Sequence, residues 1–143
     1  MNHALNSVTG TTAVHICFGY AAVIHQRPSA YSFLPELKAA NVQQISIETA
    51  QSRLDCEVLA ELSTKTILLG VLDLADMTVE APALVAERIR RALPYVDAKK
   101  IVVAPDCGLK YLPRNVAFQK MRAMVEGALV VRSELSLMRG GRS

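Results

Sequence analysis

The chain has 143 residues, 51% of them hydrophobic, with 16 basic and 13 acidic side chains and a formal net charge of +3. This length allows one domain with a hydrophobic core. The small charge excludes a polybasic nucleic-acid surface, and no apolar run reaches the roughly 20 residues of a membrane span. The three cysteines are an odd number, and the first ten residues lack a signal-peptide core. We therefore expect a cytoplasmic protein whose thiols are free or bind metal.

Short apolar segments alternate with segments of helical periodicity along the chain. The predicted strands are Ala13–Phe18, Gln44–Glu48, Thr66–Val71 and Lys100–Ala104. The predicted helices are Phe33–Ala40, Arg53–Leu62, Ala81–Leu93 and about Arg114–Leu135. In the last helix, the spacing predicts an inner stripe of Phe118, Met121, Val125 and Leu129.

This alternation predicts an α/β fold with a parallel sheet and right-handed crossovers. A doubly wound sheet and a segment of a barrel both agree with it. A complete (β/α)8 barrel of the TIM type needs around 250 residues, so the chain would supply about four βα units, or half a barrel. We expect one partial-barrel domain over residues 1–143, with residues 1–12 and 136–143 mobile.

Metal-binding residue types stand at the ends of three predicted strands. His15 and Cys17 are two apart in the first strand, so their side chains point to the same side. Glu48 ends the second strand, and Cys107 follows the fourth. Ligands gather at the carboxyl ends of parallel strands, and thiolate, imidazole and carboxylate together suit zinc. On spacing alone the alternative stays open, because a cysteine or histidine in an apolar strand is more often structural.

Other polar or sulfur-containing residues have weaker assignments. Cys56 lies inside a predicted helix and is expected to be a small buried hydrophobic residue. His25 lies in a loop that belongs either to the surface or to a substrate site. Asp73 and Asp106 follow the third and fourth strands, where they would bind substrate or orient ligands. For Asp106, capping the turn that presents Cys107 is an equally good alternative.

From about Val14 to Arg132 the sequence resembles the zinc-bearing C-terminal barrel of the cobalamin-independent methionine synthase family. The similar segments stand in the family's order: His15-Ile16-Cys17, Ile45-Ser46-Ile47-Glu48, Gly70-Val71-Leu72-Asp73 and Pro105-Asp106-Cys107-Gly108-Leu109-Lys110. The Pro-Asp-Cys-Gly-Leu turn is the most specific of these. The resemblance implies the C-terminal half of a TIM-type barrel of the methionine synthase/uroporphyrinogen decarboxylase-like superfamily.

The resemblance also implies a function. It implies a zinc ion on His15, Cys17, Glu48 and Cys107, with Glu48 and Asp73 as catalytic residues and no organic cofactor. In the family, zinc activates the thiol of homocysteine, and the thiolate takes a methyl group from methyltetrahydrofolate to give methionine. The expected partners are therefore this small thiol and a methyl donor, and neither a nucleic acid nor a membrane.

Two departures from the family keep alternatives open. Ala75 stands where the folate-dependent members have the histidine of an Asp-Ile-His stretch, which would protonate the leaving nitrogen. The methyl donor is therefore undetermined, and the thiol could be coenzyme M instead of homocysteine. A non-catalytic zinc-binding remnant is a third reading. Because an open half-barrel exposes two strand edges, we expect self-association or a partner that supplies the N-terminal half.

Overall fold

The computed structural model describes residues 2–19 and 34–141, without the side chains of Pro35 and Arg139. Its α-helices are α1 (Asn2–Leu5), α2 (Leu34–Lys38), α3 (Pro82–Ala92) and α4 (Arg114–Gly140). Its strands are β1 (Ala13–Ile16), β2 (Gln44–Glu48), β3 (Thr66–Gly70) and β4 (Ile101–Ala104). Two 3-10 helices cover Cys56–Leu62 and Ala98–Lys100.

The four strands form one parallel sheet in the order β1-β2-β3-β4. Isoleucine and leucine side chains of the central strands are fully buried: Ile45, Ile47, Ile67 and Leu69. Such apolar strands form where helices cover a sheet. Spatial order follows chain order without the reversal that defines a doubly wound sheet. The α/β prediction is confirmed, and the sheet is wound in the manner of a barrel.

The helix predicted over Arg53–Leu62 differs from the structure in its start and its type. A 3-10 helix begins at Cys56, after Asp55 accepts a hydrogen bond from the Glu57 N–H. Arg53 lies just before it with a φ of 51°, in the left-handed region that helix residues do not adopt. The apolar periodicity therefore identified the buried face of this segment, whereas the local backbone determined where the helix starts.

Helix α4 turns a different face to the core than the periodicity predicted. Phe118, Met121, Val125 and Leu129 are 47–69% exposed, so the inner stripe assigned to them is wrong. The buried residues of the helix instead include Lys120, Ala123, Gly127 and Val131. The helix is apolar on two sides, and a period of 3.6 residues does not say which side meets the sheet. Neither α4 nor any other helix of the described residues could cross a membrane.

One of these exposed residues of α4, Val125, also borders the open edge of the sheet at β4. Between β4 and α4 runs an apolar groove of about 280 Å³, and its lining includes Val102, Val103, Val125 and Ala128. Val102 on the edge strand is itself 47% exposed. We call the stripe of Phe118, Met121, Val125 and Leu129 together with this groove the open flank. In a closed barrel the next βα unit would cover it.

Candidate metal centre

Three of the four residues predicted to bind metal come together at the carboxyl end of the sheet. The ligand atoms of His15, Cys17 and Cys107 all lie within 4.8 Å of one another. The two sulfur atoms are 3.8 Å apart, and the His15 Nε2 atom lies 3.4 Å from the Cys107 sulfur. His15 and Cys17 reach the same point because they are two apart at the end of β1, as the alternation of side chains requires.

These distances fit the coordination of zinc. Two Zn–S bonds of about 2.3 Å at a tetrahedral angle separate the sulfur atoms by about 3.8 Å, and a Zn–N bond of about 2.0 Å separates nitrogen from sulfur by about 3.5 Å. The His15 Nδ1 atom lies 2.8 Å from the Ser46 hydroxyl on the neighbouring strand. That hydrogen bond leaves Nε2 available as the ligand atom, and it holds the ring towards the sulfur atoms.

Electrostatics at Cys17 are unfavourable for a bare thiolate. Burial raises the pKa of the Cys17 thiol, and the neighbouring Cys107 and Glu48 raise it further, while a hydrogen bond from the Gly19 N–H lowers it. Gly19 has a φ of 88°, a backbone conformation that favours glycine. A divalent cation would offset the repulsion between these groups.

Glu48, the fourth predicted ligand, does not join the cluster formed by the other three. It is fully buried, and its Oε1 atom accepts a hydrogen bond from the Phe18 N–H at 2.9 Å. Its Oε2 atom accepts one from the Gln51 Nε2 atom at 3.3 Å. The carboxylate is nevertheless close enough to raise the pKa of Cys17. Glu48 therefore lies beside the cluster, held by the loops that follow β1 and β2.

Asp106 connects the Cys107 turn to the end of β2. Its buried carboxylate accepts hydrogen bonds from three successive backbone N–H groups, those of Thr49, Ala50 and Gln51, at 3.4, 3.2 and 2.6 Å. Burial raises the pKa of Asp106 to about 7, although the three N–H groups oppose this shift. These contacts lie at the turn after β2, so substrate binding, ligand orientation and capping of the Cys107 turn all stay predictions for this residue.

Asp73 lies at the same end of the sheet but outside the metal cluster. Its carboxylate accepts a hydrogen bond from the Ala75 N–H at 2.8 Å, so it stabilises the loop between β3 and α3. Cys56 is buried in the core, as predicted. His25 lies outside the described residues, so its two alternatives stay as predictions.

Sequence reasoning did not identify Ser46 and Gln51 as parts of the site. Ser46 pairs in register with His15, and it precedes Glu48 by two positions on the same face of β2. That spacing indicates a position on the same side of the sheet as Glu48, so Ser46 could have been predicted to lie at the site. Gln51 gave none, because its contact with Glu48 depends on how the chain turns after β2.

The fold and the cluster define the class: a parallel α/β protein with two cysteines and a histidine grouped at the carboxyl ends of its strands. A family model described as the cobalamin-independent synthase catalytic domain matches residues 7–129. The chain belongs to this family.

Similar proteins agree with this assignment. The methionine synthase of Sulfurisphaera tokodaii is 34% identical to the chain over 94% of the chain and 37% of its own length. That of Saccharolobus islandicus is 36% identical over 94% of the chain and 39% of its own length. That of Thermococcus kodakarensis is 31% identical over 95% of the chain and 38% of its own length. A solved structure of a B12-independent methionine synthase from Shewanella sp. W3-18-1, in complex with selenomethionine, matches with a TM-score of 0.83 and 29% identity. The chain covers 43% of that protein, and 96% of the chain is matched. The sheet is therefore part of a TIM-type barrel, and the chain spans well under half the length of these relatives.

Proposed function

We propose that the chain carries the zinc centre of a methyltransferase that converts homocysteine to methionine. The observation that supports this most directly is the grouping of His15, Cys17 and Cys107 at distances that suit tetrahedral zinc. Zinc bound there would lower the pKa of a substrate thiol, so that a thiolate nucleophile exists at neutral pH. Thiol ligands of this kind need a reducing compartment, which supports a cytoplasmic location.

The residues of the centre have different proposed roles. Cys17, Cys107 and His15 would hold the metal, and Glu48, which lies beside them, would be the fourth ligand. Glu48 also has hydrogen-bond donors in the Phe18 N–H and the Gln51 amide, so its buried carboxylate is not an unpaired charge when it is away from the metal. We place Asp73 at the rim of the site, where its loop faces the incoming substrate.

One residue favours a second candidate function. Ala75 is exposed in the loop after β3 and has no proton to give to a leaving nitrogen, so this loop does not supply the acid that methyltetrahydrofolate requires. The alternative is transfer of an alkyl group to another thiol, such as coenzyme M, from a donor that needs no protonation. Both functions use the same metal centre.

We further propose that the active protein includes the N-terminal half of the barrel. The relatives contain more than half of their length outside the matched region, and the open flank of this chain is apolar and exposed. The missing units would cover this flank and the edge of β1. Groups that recognise the rest of the substrate would lie on them.

Metal content tests the centre. The purified chain, dialysed against micromolar zinc, is expected to retain one equivalent per chain, and Cys107→Ser is expected to lose it because two thiolates and an imidazole bind far more tightly than one thiolate and an imidazole do. Cys56→Ser is the matched control, since this third cysteine is buried in the core, and it should retain the metal. A well-folded chain that binds no zinc would contradict the proposal.

Thiol titration of the cobalt-loaded chain distinguishes the candidate functions. Homocysteine is expected to bind through sulfur, and this would appear as a new sulfur-to-cobalt charge-transfer band at lower concentrations than coenzyme M requires. Tighter binding of coenzyme M would favour the second function. If neither thiol changed the spectrum of the fully loaded chain, even when the rest of the barrel was supplied, the centre would be a non-catalytic remnant.

A further inference from the structure

A lysine from α4 is buried beneath the loop between β3 and α3. Lys120 has no exposed surface, and its ammonium group donates three hydrogen bonds. The acceptors are the carbonyl oxygens of Asp73 at 3.0 Å and Thr78 at 2.6 Å, and the Glu80 Oε2 atom at 2.9 Å. These use all the protons that a lysine has, so the loop is held at its start, middle and end by one side chain.

Glu80 completes this arrangement from the other side. Its Oε1 atom accepts hydrogen bonds from the Asp73 N–H at 2.8 Å and from Arg88 at 3.2 Å. Burial alone would raise the pKa of Glu80, but the hydrogen bonds from Lys120 and the Asp73 N–H outweigh it and the pKa is lowered. Both backbone polar groups of Asp73 are thus bound by the Lys120–Glu80 pair, which places this residue firmly.

The loop held in this way begins beside the turn that carries Cys107. Where it leaves β3, the Leu72 carbonyl accepts a hydrogen bond from the Asp106 N–H, directly before Cys107. Strand β3 lies between β2, which ends in Glu48, and β4, which leads to Cys107. A displacement at Asp73 would therefore reach the turn that presents a ligand within two residues.

We propose that Lys120 is a positioning residue for the metal centre, because its ion pair with Glu80 holds the β3–α3 loop against the turn that carries Cys107. This rests on the proposed function. A buried ion pair is a poor way to gain stability, since apolar side chains of the same size stabilise as well or better, and its use here agrees with fixing one loop conformation. The exposed residues 75–78 of the loop are then held in a constant position.

The test replaces Lys120 by methionine, which is similar in length and carries no charge. In Lys120→Met we expect one zinc per chain to remain, faster hydrogen exchange confined to residues 72–80, and homocysteine affinity of the cobalt-loaded chain reduced about 10- to 100-fold, the range for residues that orient ligands. Glu80→Gln, which keeps the shape of the side chain, should show the same pattern more weakly. It also serves if Lys120→Met does not fold.

Arg122→Met is the control, because Arg122 lies on the same helix and makes an exposed ion pair with Glu126. It should change neither exchange nor thiol affinity. The proposal is overturned if loop exchange is unchanged in both test variants, or if the loop exchanges faster while thiol affinity stays the same. Loss of zinc from the unaltered chain would instead refute the proposed function, and the exchange measurement would still decide whether Lys120 holds the loop.

Discussion

Gly70→Ala is expected to lower the free energy of unfolding by about 2 kcal/mol and to weaken zinc binding about 10- to 100-fold. A Cβ atom at Gly70 would lie 2.3 Å from the Asp106 Oδ1 atom, 2.8 Å from the Asp106 Cα atom and 3.0 Å from the Ile47 carbonyl oxygen. The Ile47 carbonyl belongs to β2 and is held by the sheet, whereas Asp106 lies in the turn that follows β4. Asp106 must therefore move, and it carries Cys107 with it.

The zinc affinity should fall because Asp106 connects the backbone after Glu48 with the turn that carries Cys107. Its carboxylate binds the N–H groups that follow Glu48, and the next residue is Cys107. Denaturant unfolding gives the stability, and competition with a chelator gives the zinc affinity. Gly140→Ala is the control, since a Cβ there meets nothing within 4 Å. An unchanged zinc affinity in Gly70→Ala would show that Asp106 does not orient the ligands.

The 143-residue chain by itself is expected to associate through the open flank. An exposed apolar stripe beside an unpaired strand edge favours pairing with another chain. Sedimentation should therefore show a mass that rises with protein concentration to at least that of two chains. Leu129→Glu places a charge in the stripe and should shift the protein towards the monomer.

Val130→Glu is the matched control for this prediction. Val130 is the adjacent residue of α4 and is 40% exposed against 52% for Leu129, but it lies outside the stripe. It should leave the mass unchanged. A stable monomer of the unaltered chain at high concentration would contradict the prediction, and equal effects of the two variants would show that association uses another surface.

The strands and the position of the centre were predictable, because both follow from local pattern. Buried parallel strands are short apolar runs, and their carboxyl ends are where ligands gather. Thus Gln44–Glu48 was predicted with its observed limits, and His15 and Cys17 were paired from their spacing. The inward face of α4 was not predictable in this way, since apolar residues occupy more than one face and the charged Lys120 sits on the buried one.

The contacts made by the loops also could not be predicted from the sequence. The hydrogen bonds of Asp106 join residues more than fifty positions apart, and those of Lys120 to Asp73 join residues 47 apart. A buried lysine resembles a solvated one in sequence. Lys120 does share a helix face with Ala123 and Gly127 in the sequence pattern. That pattern indicates burial of the lysine only when the buried face of α4 is already known.

The placement of the candidate ligands has a consequence for how such enzymes diversify. His15, Cys17, Glu48 and Cys107 all belong to one run of βα units, on three strands of a single sheet. Another N-terminal half that matched the edges of β1 and β4 would acquire the whole set of candidate ligands at once. Acceptor and donor preference could then change by exchange of half-barrels, while the coordination chemistry was inherited without alteration.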